Sequence, residues 1–185
     1  MIISDQQREE NFLEYLRLKQ NPDYYDATFD DESGGVSAVH KEHKFDKQMG
    51  PYGSPRGEYE RTVMSLLRRS GYRVLLESER SLNKIKKHDG TLNDWPMDIK
   101  TIEGSGQWSV STKLREAEIQ GAQVVALYFP DPALYSKERV LDGIEKYETN
   151  PDIRGEGIIK KCIILVADQI VSTLDRTTTP SAGWF

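Results

Sequence analysis

The run Val124-Val125-Ala126-Leu127-Tyr128-Phe129 constrains the fold more than any other stretch of the chain. Successive side chains of a strand point to opposite faces of its sheet, so a near-continuous apolar run describes a strand covered on both sides. Such a strand needs helices above and below it, and the neighbouring segments supply them. Thr112 to Gln120 has helical character and is stopped by Gly121; Ser136 to Tyr147 carries Val140, Leu141 and Ile144 as an apolar face. Ahead of them, Tyr59, Val63, Leu66 and Leu67 recur at helical spacing over Glu58 to Ser70, with Gly71 just past the end. Tyr72 to Leu76 and Asp98 to Ile102 are expected strands, Trp108-Ser109-Val110 a further short one, and Ile158 to Val166 with Gln169 to Val171 closes the sheet. Helix, strand, hairpin, strand, helix, strand is an α/β architecture, a central mixed β-sheet flanked by helices. A dinucleotide fold is excluded: no glycine-rich loop joins the first strand to a helix, and Gly104-Ser105-Gly106 has the wrong spacing and context.

The first fifty residues follow a different grammar. Asp5 to Lys19 predicts an amphipathic helix with Phe12, Leu13, Leu16 and Leu18 on its apolar stripe. Asn21 to Tyr25 and Asp30 to Gly35 are turn chemistry, and Val36 to Val39 a short strand. Gly50, Pro51, Gly53, Pro55 and Gly57 then mark a loop, so the expected division is an N-terminal arm of helix plus loop (1–50), a main domain (51–176) and an irregular tail (177–185). A chain of 185 residues buries a sizeable core without disulfides. Its one cysteine, Cys162, lies in an apolar run and reads as a buried, inert thiol. No apolar stretch reaches the length of a membrane span and the start is not a signal peptide, so a cytoplasmic site of action, with no membrane partner, is the expectation.

Chemistry concentrates between His88 and Thr101. Asp89 is followed nine positions later by Asp98-Ile99-Lys100. In a strand Asp98 and Lys100 share a face while Ile99 points into a core. Two carboxylates can hold a hard divalent cation, Mg2+ or Mn2+, and an adjacent ammonium can orient an attacking water, which is what metal-assisted phosphodiester hydrolysis needs. A solvated, salt-bridged strand edge is the competing reading. Net charge is −5, which argues against a nucleic-acid binder, yet Arg61, Arg68, Arg69, Arg73, Lys84, Lys86 and Lys87 cluster around this segment in sequence. His40 and His43 with Lys44 form a candidate phosphate-contacting arm or proton source; His-x-x-His without a Cys or third His makes zinc a poor fit. Ser111 or Thr112 is a candidate helix cap, and Trp95 and Trp108 are candidates either for base stacking or for the core.

With Asp89, Asp98 and Lys100 in this element order, the chain resembles the PD-(D/E)XK nucleases, whose restriction-endonuclease-like core carries its signature on a strand meander. His88 stands where the signature usually has Pro, and Asp98 where Glu is commoner. Residues 34–130 are similar to the C-terminal nuclease domains of contact-dependent growth-inhibition toxins, domains also found fused to phage head-morphogenesis proteins. The blocks Met97 to Gly104 and Gln120-Gly121-Ala122 carry most of that likeness. The resemblance implies metal-dependent RNA cleavage, with tRNA favoured, DNA as an alternative, and a possible cognate immunity protein. It implies Glu60, with Glu58 as competitor, as the acid of the helix before the meander. The expected catalytic set is then Glu60, Asp89, Asp98 and Lys100, with Asp89, Asp98, Glu60 and the Ile99 carbonyl around the ion. Lys113 and Gln120, seven apart on the following helix, would brace the site or touch substrate, beside His40, His43 and Lys44. Two other readings stand: metal-free RNA cleavage through the 2′-hydroxyl with His40 or His43 as base, and a catalytically inactive binding or assembly module, for which the acidic stretch Asp23–Glu32 speaks.

Overall fold

Among the described residues eight strands form one sheet in chain order: β1 (Tyr24–Phe29), β2 (Val36–His40), β3 (Arg73–Leu76), β4 (Gly90–Leu92), β5 (Trp95–Thr101), β6 (Val124–Phe129), β7 (Lys161–Val166) and β8 (Gln169–Asp175). The computed structural model describes residues 3–78, 87–150 and 157–176. The pairs β2–β3, β5–β6 and β6–β7 are parallel, and β1–β2, β3–β4, β4–β5 and β7–β8 antiparallel. Four α-helices, α1 (Asp5–Gln20), α2 (Arg56–Arg69), α3 (Ser109–Ile119) and α4 (Lys137–Thr149), flank the sheet. The fold is thus α/β with a central mixed sheet, as the apolar runs predict.

Alternation along the strands sorts the core into two layers. Met97 and Ile99 of β5, with Val124, Ala126 and Tyr128 of β6, pack beneath Val63 and Leu67 of α2. Val125, Leu127 and Phe129 face the other way, against Leu114 of α3 and Ile144 of α4. All six residues of β6 are buried, which is why this strand shows no polar alternation. On the side away from α2, α1 covers Val36, Ala38 and Leu75. Asp98 and Lys100 alternate with Ile99 and so lie on the side of α3. The β4–β5 connection is the two-residue turn Asn93-Asp94, both with positive φ (47° and 70°), as a tight hairpin twisted with its strands requires.

Five expectations need correcting. Tyr24 and Tyr25, expected in a turn, open the strand Tyr24–Phe29; its acidic neighbours hide it, and such charge suits an edge strand because it discourages pairing with other chains. Trp108-Ser109-Val110 is the first turn of α3, whose Val110 belongs to the helix–helix core. Ser111 is not the cap: its hydroxyl donates to the Trp108 carbonyl from inside the helix (3.0 Å). Helix α1 buries Leu18 and Asn11, while Phe12, Leu13 and Leu16 stay exposed, because the Asn11 amide donates to the Gly34 carbonyl (2.9 Å) and fixes the helix rotation. Residues 1–50, expected as helix plus loop, contribute α1 and two strands of the sheet. Cys162 is fully buried, and burial pushes its thiol pKa up. Lys84, Lys86 and the tail 177–185 lie outside the described residues. Among those residues no helix is long and apolar enough to cross a membrane.

Candidate functional site

The antiparallel register that pairs Gly90 with Met97 sets Asp89 opposite Asp98 one step further along. Opposed residues share a face of the sheet, so two carboxylates nine positions apart in sequence meet side by side. The Asp89 carboxylate also accepts from the Ile99 backbone N–H (2.8 Å), which ties it to β5. Lys100 Nζ lies 2.7 Å from Asp98 Oδ2. Gln120, at the C-terminal end of α3, joins this pair from the neighbouring layer. Its amide nitrogen donates to Asp98 Oδ2 (3.0 Å) and its oxygen accepts from Lys100 Nζ (3.2 Å), the orientation that satisfies both ends. The Gln120 carbonyl accepts from the His88 backbone N–H (3.1 Å), so α3 holds the turn that carries Asp89.

Asp98 is fully buried, and its Oδ1 makes no hydrogen bond. Burial above all, and then the charge of Asp89, push its carboxyl pKa up to about 8, against the opposing pull of Lys100. An acid held above its ordinary value of 3.8 keeps its proton in the folded state after the unfolded chain has released it. Unfolding then releases a proton, and stability falls as pH rises across the window from about 4 to about 8. In EDTA, the melting temperature is expected to drop between pH 5 and pH 8, and Asp98→Asn to flatten that slope. A wild-type melting temperature that rises over this range contradicts the assignment.

Asp89, Lys100 and Gln120 open onto a cleft of about 640 Å³ at the C-terminal end of β5, while Asp98, fully buried, does not line it. Glu60 of α2, Asp89, Ile99 and Lys100 line it, with Lys113 and Gln120 from α3 and Lys44 from the loop after β2. Lys113 is paired with Glu116 on its own helix (2.7 Å). Glu58 faces an adjoining groove and not this cleft, which separates the two candidate helix acids. Glu60 Oε2 sits 3.0 Å from His43 Nε2, while His43 Nδ1 lies 3.0 Å from the Glu77 carbonyl. A carbonyl only accepts, so Nδ1 carries a proton and donates.

The His43 ring is fully buried, so it braces Glu60 instead of touching substrate as the sequence suggested. His40 does not line the cleft either; its ring packs edge-on to Tyr24 and its Nδ1 accepts from the Glu42 N–H. Trp95 and Trp108 are half-exposed and also stand outside the cleft. Arg56 had no sequence signal and Glu103 only its place in the block Met97 to Gly104: they are far apart along the chain, yet the guanidinium binds the carboxylate through two nitrogens at the cleft rim (2.9 and 2.7 Å).

A hard divalent cation fits part of this arrangement. Asp89, Asp98 and the Ile99 carbonyl form an all-oxygen donor set. A cation would also answer both the repulsion between the two acids and the unbonded Asp98 Oδ1. Among the described residues no three His, Cys, Asp or Glu side chains group around one point as ligands, so Glu60 does not complete a side-chain triad.

No family model and no curated protein matches the chain. Among solved structures it is similar to a chain of the CdiA-CT/CdiI toxin and immunity complex from Burkholderia pseudomallei. The likeness has a TM-score of 0.52 at 16% identity and covers 76% of this chain and 99% of that one. At such low identity what is shared is the fold: this chain has the α/β fold of a chain from a toxin and immunity complex.

Proposed function

We propose that the chain is a metal-dependent endonuclease of the PD-(D/E)XK type that hydrolyses phosphodiester bonds in RNA, tRNA first among candidates, as a toxin-type domain with a cognate immunity protein. The observation that carries this reading is the buried Asp98–Lys100 pair, joined by Gln120 and faced by Asp89 at the wall of an open cleft. A decorative strand-edge salt bridge would sit in solvent, where it contributes little. This pair is buried at a cost that a site can justify and a surface cannot. The fold shared with a chain of a toxin and immunity complex supports the toxin-type setting.

Each side chain then has a task. Asp89 and Asp98, with the Ile99 carbonyl, would hold Mg2+ or Mn2+, for which Asp98 would have to be ionised. When bound, the ion supplies Lewis acidity to a phosphate oxygen and lowers the pKa of water. Lys100 positions the attacking water and offsets the negative charge that builds on the phosphorus centre. Gln120 fixes the Lys100 ammonium between two acceptors, so that it does not swing out of line. Glu60, pinned by His43, acts through water from the opposite wall. The buried and bonded position of His43, and that of His40 outside the cleft, speak against either as the base of the metal-free 2′-hydroxyl route.

The test is incubation of purified protein with total tRNA and, separately, plasmid DNA, with Mg2+ or Mn2+ and with EDTA. Cleavage of tRNA that EDTA abolishes and metal restores is the expected result. Nicking of DNA alone would keep the mechanism and replace the substrate. Cleavage that persists in EDTA would remove the cation from the account, and no cleavage of either would favour the binding module.

A further inference from the structure

A second concavity of about 700 Å³ adjoins the cleft, and the two share Lys44, Phe45, Asp46 and Lys47 as a common wall. Resting on the nuclease reading above, we propose that this groove seats the polynucleotide chain that flanks the scissile bond, with Arg61 as its phosphate-binding residue.

Arg61 is built for that task. Its guanidinium lies 3.8 Å from the Phe45 ring centroid, stacked on the ring, which holds the planar group in place and leaves its N–H edges outward. Its ion pair with Asp26 is long (3.9 Å) and exposed, too weak to consume it. Lys44 and Lys47 make no ion pair among the described residues, so the shared wall presents two further cations, against the acids Asp46 and Glu58.

The wall is also rigid. The Gly57 N–H donates to the Asp46 carbonyl (2.8 Å) and the Arg56 N–H to the Gln48 carbonyl (2.9 Å), which fastens the segment to the first turn of α2. A Cβ on Gly57 would lie 2.6 Å from Phe45 Cβ, so this contact leaves no slack. Phe45 in turn packs edge-on to His43 (4.8 Å), the residue that pins Glu60. A phosphate held by Arg61 is thereby placed on a fixed frame relative to the cleft acids. A mononucleotide needs one such cavity, whereas two adjoining ones suit a chain.

The experiment compares Arg61→Ala, Arg61→Lys and Lys47→Ala with wild type on two substrates in Mn2+: total tRNA and the small diester bis(p-nitrophenyl) phosphate. For Arg61→Ala, kcat/KM on tRNA is expected to fall about tenfold or more relative to that on the small diester, chiefly through KM. Arg61→Lys should recover part of the loss, and the dependence of tRNA KM on salt should become shallower by about one phosphate contact. If the wild type turns over both substrates and the variants keep its tRNA KM and salt dependence, the groove belongs to some other partner, such as a protein, and this inference is overturned alone. If the wild type turns over neither substrate, the nuclease reading fails and takes this inference with it.

Discussion

Lys100→Ala is expected to lower the proposed metal-dependent RNA cleavage by about two orders of magnitude or more. Lys100 Nζ stands 2.7 Å from Asp98 Oδ2 and also donates to Gln120, so it is a cation fixed directly against the paired acids. Its removal takes away the charge that offsets the developing phosphorane. It also strips Asp98, which is fully buried, of its counter-ion. That second effect bears on folding, because breaking a buried pair costs about 3–5 kcal/mol when the remaining group stays charged. Asp98 escapes part of this cost by holding its proton, as its pKa of about 8 allows at neutral pH. Lys100→Met, which keeps the apolar stem and loses only the charge, separates the two effects. Single-turnover rates beside melting curves should show both variants folded and both nearly inactive. Wild-type rates in a folded Lys100→Met protein would remove Lys100 from the mechanism.

Gly90→Ala is expected to be the most damaging single methyl addition near the site. A Cβ at Gly90 would fall 1.9 Å from the Leu75 carbonyl oxygen and 2.9 Å from the Leu76 Cα, both backbone atoms that cannot rotate away. Relief requires β3 and β4 to separate, and those strands pair through Leu76 and Gly90. Overpacking against side chains costs about 1–3 kcal/mol, and a clash with paired backbone lies at or beyond the upper end. For a domain of this size that is a fall of roughly 10 °C in melting temperature. Because Gly90 follows Asp89, cleavage should fall together with stability. Gly104→Ala is the control: no atom lies within 4 Å of the place its new methyl would take, so its melting temperature should match wild type. Equal melting temperatures for Gly90→Ala and Gly104→Ala would show that β3 and β4 are not packed as described.

How far the sequence reached depends on the range of the forces involved. Val124 to Phe129 announced a doubly covered strand because burial on both faces leaves a local mark. Asp98 and Lys100 on one side, with Ile99 in the core beneath α2, followed from strand alternation alone. The meeting of Asp89 with Asp98 needed only a tight hairpin between them, and Asn93-Asp94 supplies it. Contacts between distant elements left no such mark. His43 sits in a loop with no periodicity, so nothing local told that its ring is buried between Glu60 and the Glu77 carbonyl. The spacing of Lys113 and Gln120 put both on one helix face, but not that Gln120 bridges an acid and an amine in another layer. Strand β1 was masked by its acids, and the rotation of α1 was decided by the polar Asn11 against apolar neighbours.

The most direct test of the account is the rate of Mg2+- or Mn2+-dependent tRNA cleavage by the wild-type protein beside Asp98→Asn, with melting curves on both. The nearly isosteric change removes the carboxyl group that Asp98 would ionise to hold a cation and leaves the shape of the site. Metal-dependent cleavage by the wild type, at least about a hundredfold slower in a folded Asp98→Asn protein, is the predicted result. Equal cleavage by the two proteins would contradict the assignment of the chemistry to this site.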